Sequence, residues 1–209
     1  MTAVLMTQEY FPHRRFAAPM DAQALRQYPI LERMGFFPVE RDSIAGAKEF
    51  LRTSRELLKV PDVVLWLTPT GKFCDVRQSA PFMNGLSHLV DREFAGSVVA
   101  AAIEYTFWNE RFPELLVEFH SPLPCHDLPD EKDRRTLAFE ECLSQTQALL
   151  ASRAIERDPT AFHTLASGTS GIGLIYDTWR RLTAWGSGKQ FRGRHDNDAI
   201  VPTAIRRDL

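Results

Sequence analysis

Long apolar runs are the first thing the 209-residue sequence lacks. Its longest stretches fall far short of the ~20 residues a helix needs to cross a bilayer, which excludes a helical membrane-spanning architecture. It also lacks any strong excess of charge. With a formal net charge of −2 there is no basic surplus to hold a phosphate backbone, so nucleic acid is not expected as a partner. Cysteine is scarce. Cys74, Cys125 and Cys142 are odd in number and unrelated in spacing, which fits a reducing cytosol better than a disulfide framework. Residues 1–10 have neither a basic n-region nor a long apolar h-region, so nothing there directs export. No internal repeat is present, and His120, Cys125 and His126 have no paired ligand motif elsewhere to complete a tetrahedral site, so no metal is expected.

What is present is an ordinary globular balance, 44% hydrophobic and 25% charged, which argues against disorder. The length suits one domain with a substantial core. The chain is organised around residues 62–124. Val63-Val64-Leu65-Trp66-Leu67 and Val98-Val99-Ala100-Ala101-Ala102-Ile103 read as buried strands, short, rich in β-branched residues and bounded by Pro or Gly. In an open α/β sheet ligands sit outside the carboxyl ends of strands, so the loop after each run is a candidate site. The first loop, residues 68–77, joins a Gly that lets backbone approach a ligand, Gly71, to the cations Lys72 and Arg77. These suit a phosphate-bearing acceptor, and the plainer reading is a solvated turn whose charges hold its shape.

In chain order, residues 1–10 read as the inside of a helix and residues 15–20 as a strand and turn. Asp21 caps a helix toward Met34 that Pro29 kinks or divides and Gly35 stops. Ser43 caps the clearest helix, with Ile44, Ala47, Leu51, Ser54 and Leu58 on one face. It leads into the first core strand, giving a βαβ-like alternation and a largely parallel sheet. Residues 115–120 read as a further strand, residues 130–157 as a long helix, and the tail from Gly186 as polar.

Other residue types invite chemistry and are outweighed by plainer readings. The Gly/Ser-rich stretch 168–173 follows no strand and lacks a Gly-Lys-Ser/Thr ending, so it reads as a connector. Cys125-His126-Asp127 holds the types for a thiol nucleophile, but adjacent side chains in an extended loop point apart. Phe107-Trp108-Asn109-Glu110-Arg111 suits either the wall of an acyl pocket or a structural corner around a buried Trp108. A helix carrying Trp179, Arg180, Arg181 and Trp185 suits either a membrane surface or ordinary packing.

The run Leu65-Trp66-Leu67-Thr68-Pro69-Thr70-Gly71-Lys72-Phe73 resembles a variant of the Phe-Pro-Glu-Gly-Thr-Arg block of the glycerolipid acyltransferases, the lysophosphatidate acyltransferase-like family. Gly85-Leu86-Ser87-His88-Leu89, then residues 98–103, then the Phe-Trp-Asn-Glu-Arg-Phe-Pro-Glu run follow in the order of one bacterial branch, over roughly residues 10–185. The resemblance implies a single α/β domain, residues 1–185, with a mostly parallel central sheet flanked by helices, and a tail over 186–209. It implies transfer of a fatty acyl group from an acyl-CoA or acyl-carrier-protein thioester to a glycerolipid-like hydroxyl. The thioester is a cosubstrate and no cofactor follows. The acceptor-binding residues it implies are Arg41, Thr70, Gly71, Lys72, Asp75 and Arg77, on a cytoplasmic protein peripheral to the inner face of the membrane.

The chain departs from the family at the chemistry. A family His-x4-Asp pair would remove the acceptor proton, and none matches here: His88 and Asp91 are separated by two residues, not four, and follow the Gly block. No catalytic residue is therefore assigned. The family order instead predicts an N-terminally truncated domain whose dyad lies upstream of Met1. Thr70 stands for the usual Glu, and Ala100 for a frequent Pro. The alternative is a non-catalytic lipid- or acyl-binding module on the same scaffold. A soluble hydrolase using Cys125 is a weaker third.

Overall fold

The computed structural model describes residues 2–71, 75, 78, 80–108 and 113–165. They fall into two compact units, one drawn from residues 1–74, 80–96 and 124–140, the other from 75–79, 97–123 and 141–209.

In the first unit helix α1 (Thr2–Tyr10) precedes strand β1 (Arg15–Asp21). Helices α2 (Ala22–Gln27) and α3 (Ile30–Arg33) lead to β2 (Phe36–Val39), and α4 (Ile44–Leu58) leads to β3 (Val63–Leu65). α5 (Gly85–Leu89) follows. Each strand-to-strand connection carries a helix and is long enough for a crossover, so the strands run parallel, in the order β2-β1-β3. Ala17 and Ala18 are buried on the central strand, as a sheet covered on both faces requires.

The pairing is staggered. β3 pairs Arg15 to Ala17, while β2 pairs Ala18 to Asp21. Pro19 thus sits where β1 has a ladder partner on one side only among the described residues, which is where a strand tolerates a residue without an N–H. Trp66 extends the β3 side by one bond, its N–H donating to the Ala17 carbonyl at 2.8 Å. Its indole Nε1 donates to Thr7 Oγ1 at 2.7 Å, and that hydroxyl donates to the Ala3 carbonyl at 2.9 Å, which ties α1 to the end of β3.

Local chemistry sets the helix ends. The Asp21 carboxylate accepts from the N–H groups of Gln23 and Ala24 at 2.9 and 3.1 Å, capping α2. Pro29 divides the predicted helix into α2 and α3, and Gly35 stops it with φ +101°. Ser43 Oγ accepts from the Gly46 N–H at 2.8 Å at the start of α4. The inward face of α4 differs from the periodicity-based expectation at its start: Ile44 is 79% exposed and Ala47 is exposed, while Gly46 joins the expected Ser54 among the buried residues. The first turn lies so close to the Glu40 carbonyl that a Cβ on Gly46 would sit 2.0 Å from its oxygen.

The second unit is built on an antiparallel pair, β5 (Ala101–Thr106) with β6 (Glu114–Phe119), registered from Ala101 opposite Phe119 to Thr106 opposite Glu114. The short β4 (Ser97–Val98) precedes it and β7 (Leu123–Pro124) follows. The run expected as one parallel core strand over 98–103 is therefore divided between β4 and β5, and β5 lies outside the β3 sheet. The connection between β5 and β6 is too short for a parallel crossover and closes a hairpin. The long helix α6 (Lys132–Glu156) begins in the first unit and ends in the second. In the second unit Ala102, Leu116 and Leu150 form the core, covered by Trp108, Ala154 and Phe162. Among the described residues no helix is long and apolar enough to cross a membrane.

Candidate functional site at the carboxyl edge of the parallel sheet

In a parallel sheet of order β2-β1-β3 the chain leaves β1 in one direction and returns across it to the other side. The point of reversal lies between the carboxyl ends of β1 and β3, where open α/β sheets place their ligands. The stagger adds to this. β1 continues from Ala18 to Asp21 past its last pairing with β3, and the first residue after β3, Trp66, still bonds the Ala17 carbonyl.

Three candidate residues follow the carboxyl ends of β2 and β3. Arg41 follows β2, and its Nε lies 3.8 Å from the Asp21 Oδ2 at the end of β1, with the guanidinium largely exposed. At that separation and exposure the pair steers the side chain and adds little stability. Thr70 and Gly71 follow β3. The Gly71 N–H donates to the Thr68 carbonyl at 3.0 Å, closing a tight turn that Gly71 completes with φ +64°. The Met83 N–H donates to the Pro69 carbonyl at 2.8 Å and fixes the turn to the segment before α5.

Lys72 and Arg77 lie outside the described residues. Asp75 belongs to the second unit, where its carbonyl accepts from the Gln78 N–H at 3.0 Å. Asp21 was legible only as a helix cap. Its position at the end of the central strand lets it meet the candidate cation Arg41, and an Asp closing an apolar strand was the available signal.

The other chemistry-bearing residues resolve as structure. Trp108 Nε1 donates to the Ala154 carbonyl at 3.1 Å, and its ring meets Phe162 edge-on at 5.8 Å, so this indole is part of the second core. Glu110 and Arg111 lie outside the described residues. Cys125 is fully buried, and burial, with the Asp91 carboxylate second, pushes its thiol up from the ordinary range. His126 faces Asp127 at 3.5 Å in the open, so these three residues make no thiolate nucleophile. Asp91 caps its own turn, accepting from the Glu93 N–H at 3.0 Å. The His88 imidazole is instead governed by burial and by Lys132, Arg55 and Arg135, all of which hold its pKa down. His88 and Asp91 are thus no dyad. The Gly168–Gly173 stretch and the Trp179–Trp185 helix lie outside the described residues, and no His/Cys/Asp/Glu group among the described residues could hold a metal ion.

No family model matches the chain, and neither a curated protein nor a solved structure matches it.

Proposed function

We propose that this chain is a glycerolipid acyltransferase-like α/β domain that binds a phosphate-bearing lipid acceptor at the carboxyl edge of its parallel sheet. The observation that supports the reading is that Arg41 meets Asp21 at the end of β1, while the Thr70-Gly71 turn follows β3, the strand beside which the order reverses. Gly71 permits close approach of backbone N–H groups, and Arg41, with Lys72 and Arg77 from the same loop sequence, supplies cations for a phosphate. The acyl donor is a coenzyme A or acyl-carrier-protein thioester, and the protein works at the cytoplasmic membrane surface. The sequence holds no His-x4-Asp pair, so the proton of the acceptor hydroxyl has no assigned base. Loss of such a group lowers the rate about 100- to 10,000-fold.

The absence of the pair also favours a second reading, a non-catalytic lipid- or acyl-binding module. One experiment separates them. Purified protein is incubated with radiolabelled acyl-CoA or acyl-carrier protein and with lysophosphatidate, and both transferred and retained label are followed. Transfer that falls in Arg41→Ala and Arg77→Ala supports the enzyme. Retention of lysophosphatidate without transfer, weakened by the same changes, supports the module. Unchanged acceptor affinity in Arg41→Ala, Lys72→Ala and Arg77→Ala overturns the placement of the site.

A further inference from the structure

In the first unit, helices α4 and α5 and the start of α6 bring together Arg55, His88, Lys132 and Arg135. Two guanidinium groups converge on the C-terminal end of α5: Arg55 Nη2 donates to the His88 carbonyl at 2.9 Å and Arg135 Nη2 to the Ser87 carbonyl at 3.0 Å. Terminal carbonyls of a helix lack intrahelical partners and carry partial negative charge, which explains the attraction. It does not cancel the charge. Arg135 is 8% exposed, and its Nη1 donates to the Pro129 and Asp130 carbonyls at 3.0 and 2.7 Å, while its Nε has no partner. Carbonyl dipoles solvate this buried cation without supplying a counter-charge.

Four carboxylates on or next to these helices pair elsewhere. Glu131 pairs with Arg134, Asp130 with Arg92, Glu49 with Arg52, and Glu56 with Lys59. Among the described residues Arg55, Lys132 and Arg135 form no ion pair. Arg55 and His88 are exposed and Lys132 is half-buried, so an anion can reach them from solvent.

We propose that Arg55, His88 and Lys132, backed by the buried charge of Arg135, form a binding site for a phosphate-class anion, either inorganic phosphate or a lipid phosphate. The charges that face His88 are Arg55 from α4 and Lys132 and Arg135 from α6, and with the partial desolvation of its ring they disfavour its protonated form. A bound dianion reverses that balance. Binding therefore takes up a proton at His88 and strengthens as the pH falls through the imidazole range, until the phosphate itself protonates.

The test is an NMR pH titration of the His88 ring in the full chain, assigned through His88→Gln, at constant ionic strength. Inorganic phosphate is expected to raise the His88 pKa saturably by about one unit, since a neighbouring opposite charge shifts a group by that order. In Arg55→Gln and Lys132→Gln, with unchanged thermal melts, half-saturation should require about tenfold more phosphate, the factor one charge-assisted hydrogen bond supplies. A shift that appears with phosphatidic acid vesicles and not with phosphatidylcholine vesicles or free phosphate places the source in a lipid head group and supports the site. A His88 titration unmoved by both probes, or moved equally by chloride, overturns it. Neither readout depends on Arg41, Lys72 or Arg77, so this site and the acceptor site stand or fall separately.

Discussion

The α-carbon of Gly71 lies under Met83: a Cβ added there would sit 2.3 Å from the Met83 sulfur, on a backbone held at φ +64°. Met83 is 63% exposed and its thioether end can swing aside, so backbone conformation is the larger obstacle. Gly71→Ala should cost about 1–2 kcal/mol, the penalty of a left-handed residue with a side chain. Adding Met83→Ala should recover little of it. Gly35 is the contrasting case. A Cβ there would lie 2.2 Å from the Phe16 carbonyl oxygen, which is backbone of β1 and cannot swing aside. Gly35→Ala should cost about 3 kcal/mol or more. Urea midpoints at constant m-value decide the matter, and equal losses at the two glycines would show that this ranking is wrong.

On β6, Glu118 accepts a hydrogen bond from Arg153 Nη1 of α6 at 2.5 Å, with side-chain exposures of 12% and 36%. Arg153→Met leaves the mostly buried carboxylate without its partner and should cost about 1–3 kcal/mol. Removing both charges with Arg153→Met and Glu118→Gln should cost less than the two single losses summed. A double-mutant cycle by chemical denaturation measures the coupling. A coupling of zero would mean that the pair contributes no more than a surface contact.

Cys125 should be inert in the folded protein. The thiol has 0% exposure, and burial raises its pKa, so almost no thiolate is present near neutral pH. Iodoacetamide labelling followed by mass spectrometry should leave Cys125 unmodified in the native state and modify it fully in urea. Asp91→Asn should not open it, because burial is the larger cause. Rapid native labelling at Cys125 would revive the thiol-hydrolase reading.

Features set by neighbouring residues were legible in the sequence. Asp21 and Ser43 as caps, Pro29 as a divider and Gly35 as a stop all act within a turn of the chain, and the structure contains each. The parallel arrangement of the first strands followed from their helical crossovers. The strand over 98–103 was misplaced because apolar composition does not distinguish a parallel from an antiparallel neighbour. The short interval between Thr106 and Glu114 carried that information, since it admits only a hairpin. The inward face of α4 was misjudged at Ile44 because close approach at Gly46, a residue with no side chain to count, decided which way the first turn faces. At the candidate site Arg41 and the Gly71 turn came from sequence order. The role of Asp21 beside Arg41 and the meeting of Arg55, His88, Lys132 and Arg135 depend on contacts between distant segments, which residue spacing does not encode.

β1 is the hub of the parallel sheet, yet it leaves the ribosome first of the three strands. Arg15 meets Asp62, which lies 47 positions later, and Arg15 to Ala17 have no β3 to pair with until that part of the chain has emerged. During synthesis Phe16 and Ala17 therefore wait beside an open strand edge for several seconds at ordinary elongation rates of about 5–20 residues per second. The same long-range pairing makes closure of the sheet slow compared with formation of α1 and α4, which need only local contacts. Slow translation across residues 22–62 prolongs that exposure, so the nascent chain is most open to chaperones, and to mispairing with its neighbours, before β3 arrives.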